Sequence, residues 1–396
     1  MKLQFDTSKP YAVALEGGGA KGAYQIGAWR ALREAGVKIG AVSGTSVGAL
    51  NGALMVMGDL EKAEKIWREI SYSKVMDVDD EDMKNLLSLD LREIDWKSQY
   101  EFLKKTLQNR GLDITPLRTW MEELVDEDAI RTADTELYIQ TYSLSERKEL
   151  ELRAKDLEEP GEITEMLLAS AYFPAFRNEL LGGKRYTDGG LQDVIPLHAL
   201  VSRGCRDIIA IRLFGPGLEK SFKIPRYVNI HTILPSHDLG GTLEFEAEQS
   251  IKNMEAGYFD AKRMLYGLAG EKYYVDRMWS EEDAYAFLVR YLRAYLHDCG
   301  TEASLREINE KYLPRLRKSL ECKGDYYDLF LRAAELVAEE AELDPFAIRT
   351  EEELLAALEP RFGFASALYP ACLTKALSFR SVFIHSKKLW NRRKEP

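Results

Sequence analysis

Apolar and polar positions follow one rhythm in the first part of the chain and another in the last. YAVALEG, from Tyr11, is a short apolar run stopped by glycine, as expected of a strand buried on both faces of a parallel sheet. GAYQIGAWRALREAG comes next, with apolar or small residues at Ile26, Trp29, Ala31 and Leu32 and Gly36 as a C-terminal cap, and predicts a helix. VKIGAVSG predicts a second buried strand and VGALNGALMVMG a second helix. Strand and helix in alternation imply parallel strands joined by right-handed crossovers. Residues 59–132 read as mostly helical and amphipathic, as in LEKAEKIWREI and PLRTWMEELV, and form an insertion between sheet strands. TELYIQTYSL and KELELRA, separated by SERK, predict a hairpin. EITEMLLASAYF predicts a helix halted before Pro174, and DIIAIRLF and VNIHTIL predict two more strands. After about Gly241 the pattern turns to long charged helices with no convincing further strand. The expected division is therefore 1–240, holding the sheet, and 241–396, a helical region.

Composition narrows the classes. The chain has 396 residues and no run of about 18 apolar residues able to cross a bilayer. MKLQFDTSKP lacks the apolar segment and cleavage site of a secretory signal, so the cytoplasm is the expected compartment. Cys205, Cys299, Cys322 and Cys372 are too widely spaced for a disulfide framework or zinc site and read as free thiols. A net charge of -11 argues against nucleic acid as a partner. The last twelve residues differ, with Lys387, Lys388, Arg392, Arg393 and Lys394 against Glu395, a net of 5 − 1 = +4. Such a tail suits either a solvated terminus or peripheral contact with anionic lipid headgroups. MDVDDEDMKN is dense in acids but lacks the central glycine of a helix-loop-helix calcium site, and reads as a solvated loop.

Chemistry enters at GTSVG, residues 44–48. A strand that turns sharply into a helix through a serine strains that serine, and Gly44 and Gly48 let the neighbouring backbone pass closely. The turn lifts the Ser46 hydroxyl out of the sheet edge beside the free amides of a helix start. GxSxG matches also arise by chance, so the strand-turn-helix context carries the inference. Upstream, GGGAKG at 17–22 exposes several backbone N–H groups in one concave turn, suited to an oxyanion, with Lys21 adding charge or simply meeting solvent. Gly17, Gly19 and Gly22 also satisfy the dinucleotide fingerprint GxGxxG. That motif wants an acid at the end of the next strand, and AVSGTSVG has none.

Ser46 needs a base. The histidines, His198, His231, His237, His297 and His385, all follow it, but none lies in a glycine-flanked loop that would present it. KRYTDGG instead places Asp188 after a short polar strand and before two glycines, projecting from a tight turn. An aspartate is a poor match for a serine proton in water, so the pair would have to be close and dry.

GGGAKG, GTSVG and then ASAYFPAF leading into KRYTDGG, in that order, resemble the patatin-like phospholipase family of acyl hydrolases. The likeness covers about residues 10–215, and EAGYFDAKRML at 255–265 is similar to what bacterial members carry after their core. The resemblance implies a three-layer α/β/α fold with a mostly parallel central sheet. It implies Ser46 as nucleophile and Asp188 as base, with Gly17, Gly18 and Gly19 lining an oxyanion hole and Lys21 where the family has a basic residue. The implied substrate is a lipid or other ester, with no metal or organic cofactor. A non-catalytic scaffold with the same fold is the competing class. Leu50, Leu54 and Met55 fit an acyl groove, but a helix facing the sheet explains them more simply.

Overall fold

The computed structural model describes residues 1–81, 83–84, 112–173, 176, 179–298 and 300–362. The first apolar run forms β1 (Pro10–Leu15), buried from Tyr11 onward, and Ala23–Glu34 forms α1 behind a single 3-10 turn. β2 (Lys38–Thr45) and α2 (Val47–Met57) follow, then α3 (Leu60–Arg68), a turn of helix at Tyr72–Val75, α4 (Thr115–Leu124) and α5 (Glu127–Thr132). β3 (Glu136–Ser143), β4 (Lys148–Arg153), α6 (Glu162–Ser170), β5 (Tyr186–Asp188), α7 (Leu197–Val201), β6 (Asp207–Ile211), β7 (Asn229–Ile233) and α8 (Ala247–Tyr266) complete the first unit. The helix expected to reach Pro174 ends at Ser170, where three C-terminal carbonyls converge on the Ala171 amide.

The sheet runs β4-β3-β2-β1-β6-β7, with β5 also paired to β3. β2, β1, β6, β7 and β3 pair in parallel, whereas β4 and β5 are antiparallel to β3. The two-residue period of a strand sends alternate side chains to opposite helix layers. Leu15, Val42 and Leu137 meet α2, packed so closely that a Cβ at Gly52 would lie 3.1–3.6 Å from each. Ala12, Ala14, Ile208 and Ala210 face the other way and share a core with Leu197, Ala199 and Leu200 of α7. This is a mostly parallel three-layer α/β/α arrangement. Each fully buried Leu or Ile in it contributes about 1.5–3 kcal/mol.

Contacts divide the chain at Tyr266/Gly267, beyond the composition shift at Gly241. α8 is charged on its outer face yet belongs to the first unit, where the buried Tyr24 hydroxyl of α1 donates to Asp260 at 2.9 Å. The second unit has its own core, built on Phe287, Leu292, Phe330, Val337 and Leu354. It also contains two strands that the charged-helix pattern did not predict, Tyr274–Val275 and Ile348–Arg349, paired in parallel. Two residues are too few to set up a detectable alternation. The basic tail at 387–394 lies outside the described residues.

Candidate active site

Register explains how two distant turns meet. β2 runs along one edge of β3 and stops with Thr45 opposite Gln140. β5 takes over that same edge one residue on, with Asp188 opposite Thr141. The residue leaving β2 and the residue ending β5 therefore share one spot above the sheet. Ser46 Oγ donates to Asp188 Oδ2 at 2.6 Å.

Ser46 has φ 56° and ψ −129°, strained for a residue with a Cβ and worth about 1–3 kcal/mol. The surroundings hold it there. A Cβ on Gly44 would fall 2.2 Å from the Gly48 carbonyl oxygen, and one on Gly48 would fall 2.4 Å from that of Leu15. Only glycine permits this crossing of strand end and helix start. The Ser46 amide donates to Ser170 Oγ at 2.8 Å, and Ser170 donates onward to the Gln140 carbonyl at 2.6 Å. Ser170, fully buried at the end of α6, thus ties the elbow to β3. Ser170→Ala removes both of these hydrogen bonds, at about 1–3 kcal/mol. The variant should melt several degrees lower, read by calorimetry.

Asp188 is buried, with Oδ1 accepting the Gly190 amide at 2.7 Å. Burial pushes its carboxyl up to about 6, against the opposing pull of the Ser46 and Gly190 hydrogen bonds. A second carboxyl in the same loop, Asp193, is raised by burial to about 7. It faces the Lys220 amide at 3.3 Å and is not bonded to the pair.

The glycine turn lies against the serine: a Cβ at Gly17 would sit 3.3 Å from Ser46 Cβ. The Gly17 amide is taken by the Val194 carbonyl at 2.9 Å. The Gly18 and Gly19 amides have no partner among the described residues. Beneath them the buried Glu16 carboxylate accepts from the Leu213 amide at 2.5 Å and from Arg212 Nε at 2.9 Å, holding the loop after β6 against the cradle. Lys21 points aside, its Nζ 3.5 Å from the Phe214 carbonyl, and does not line the cavity. His198 pairs with Glu151 at 2.8 Å and His231 packs edge-on to Phe5, so neither attends Ser46.

From the Ser46–Asp188 pair a cavity of about 240 Å³ runs beneath α2. Its walls are almost wholly apolar: Leu50 and Leu54 from α2, Ile66 and Ile70 from α3 and the segment after it, and Leu117, Trp120 and Met121 from α4. Leu50 and Leu54 face this space and not simply the sheet; Met55, on the opposite face of the helix, does not line it. Ser170, Glu16 and the walls from 66–70 and 117–125 were not singled out from sequence. For Ser170 the signal was available, since ASAYFPAF is one of the motifs that mark the site.

The family model for patatin-like phospholipases matches residues 13–201. Lysophospholipase nte1 of Aspergillus terreus is 55% identical over 42 residues, 11% of this chain and 3% of that protein. Patatin-like phospholipase domain-containing protein 7 of Mus musculus is 50% identical over 48 residues, 12% and 4%. The chain thus spans only a few per cent of the length of the curated relatives it matches. Among solved structures, VipD from Legionella pneumophila aligns with a TM-score of 0.39 at 16% identity over 94% of this chain and 92% of that one.

Proposed function

Through residues 13–201 this chain is a member of the patatin-like phospholipase family, and on that premise we propose that it hydrolyses lipid esters through a Ser46–Asp188 dyad. The observation that carries the reading is the 2.6 Å hydrogen bond between the two side chains at the head of an apolar cavity. Ser46 Oγ bonds to the ester carbonyl carbon as its proton passes to Asp188 Oδ2, and the carbonyl π pair moves to oxygen. The Gly18 and Gly19 amides, with the positive end of α2, receive that oxyanion. When the tetrahedral carbon collapses, the bond to the leaving alkoxide breaks and Asp188 returns the proton to it. Water then enters by the same sequence, releasing the fatty acid and restoring the serine.

A buried carboxyl raised to about 6 is a competent base only where it has lost its proton. Acidity therefore cuts the rate, and kcat/KM should level off above about pH 7 and drop tenfold per unit well below pH 6. A profile flat from pH 5 to 8 on a soluble short-chain ester would contradict Asp188 as the base.

The same reading places a lipid surface at the cavity mouth. Leu191, which lines the cavity, is 44% exposed, and Phe214 and Leu218 are 59% and 63% exposed. Leu218 is tied to the dyad's own turn by its amide, which donates to the Gly190 carbonyl at 2.9 Å. An apolar rim of this kind meets aggregated lipid at low cost in stranded surface. No helix among the described residues is long and apolar enough to cross a membrane.

A further inference from the structure

We infer that Met57 is the floor of the acyl channel and sets the longest chain accepted, an inference that rests on the hydrolase reading above. Ser46, Leu50, Leu54 and Met57 recur at helical spacing and all line the cavity, which therefore follows α2 from end to end. At the far end Met57 changes company. It also lines a separate surface depression with Arg33, Asp59 and Glu61, which places Met57 between the apolar cavity and the polar surface. The side chain is held in place: the Asp126 amide donates to Met57 Sδ at 3.3 Å. Next to it Lys62 Nζ grips the Leu124 carbonyl at 3.1 Å, fixing the α4 end that closes the channel beside Met57.

Length follows from the helix. Eleven residues (57 − 46) at a 1.5 Å rise span about 16 Å. An extended chain with C–C bonds of about 1.5 Å advances roughly 1.25 Å per carbon, so about thirteen carbons fill that span. Chains of up to twelve to fourteen carbons fit; longer ones must bend or push a methyl group against Met57 and the charged groups beyond it.

The experiment compares wild type, Met57→Ala and Met57→Trp on p-nitrophenyl esters from C4 to C18, and reads the ratio of kcat/KM for C18 to that for C8 within each protein. In wild type kcat/KM should peak near C12–C14, with C18 at least tenfold below the peak. Met57→Ala should raise the C18/C8 ratio about tenfold, and Met57→Trp should move the peak to C8–C10. Profiles that superimpose across the three active proteins overturn the assignment of Met57 while leaving the dyad standing. Absence of C4 hydrolysis by wild type overturns both. The two substitutions push in opposite directions, so either one that folds tests the inference.

Discussion

Ser46→Ala should lower kcat for ester hydrolysis by about 10⁴- to 10⁶-fold, the loss expected when the nucleophile of an acyl-transfer site is removed. Beyond the hydrogen bond it gives Asp188, nothing else at the site is built on the hydroxyl. The backbone at 46 is held through its amide by Ser170 and by the Gly44–Gly48 crossing, neither of which needs the Oγ atom. Alanine should relieve none of the φ strain and should fold, with a melting temperature close to wild type below pH 6 and a few degrees lower above it, where the ionised Asp188 has lost one donor. A folded Ser46→Ala protein that retains more than about 1% of wild-type turnover would show that a different group attacks the ester.

Asp188→Asn should be nearly as damaging, at about 10³- to 10⁴-fold in kcat, because the amide oxygen can still accept the Ser46 hydrogen bond but cannot take its proton. Its effect on stability should have the opposite sign. Burial raises the folded-state pKa of Asp188 from 3.8 to about 6. Between those values the folded protein holds a proton that the unfolded chain has released, so stability falls as pH rises through that window and stays lower above it. The penalty, (6 − 3.8) units at 1.36 kcal/mol each, is on the order of 3 kcal/mol. Asparagine removes it. Denaturant melts should therefore show Asp188→Asn more stable than wild type at pH 8 and about equal at pH 4, with the activity inflection near pH 6 gone. A variant destabilised at both pH values would mean that the ionised carboxylate is a net support for the fold. A gain in stability where catalysis is lost is the trade expected of a group kept in an unfavourable environment for its chemistry.

The sheet and its flanking helices were legible because burial on both faces leaves a strong mark: YAVAL and KIGAVSGT are apolar runs ended by glycine, and helical spacing resumes at once. The hairpin was legible for the same reason in the period-two form. The meeting of Ser46 with Asp188 was legible only through the order of motifs. Propensity says nothing of how β5 continues the edge of β3 that β2 leaves, since that depends on two separate pairings, Thr45 with Gln140 and Thr141 with Asp188, that are far apart in sequence. The cavity was not legible. Leu50 and Leu54 have the same helical spacing whether they face a sheet or a channel, and the opposing wall comes from α3 and α4, whose amphipathic pattern reports a buried face without saying what it is buried against. Gly17 shows a further limit: a glycine-rich turn promises free amides, but only the tertiary contact with Val194 reveals which one is already taken.

The proposed dyad turns on one shared proton, and the rate of covalent labelling by a fluorophosphonate reads it directly. The wild-type protein should acquire a single adduct, located to Ser46 by peptide mass spectrometry, at a rate that falls below about pH 6 and drops at least a hundredfold in Asp188→Asn. An adduct on any other residue, or an Asp188→Asn protein labelled at Ser46 as fast as wild type, would contradict it.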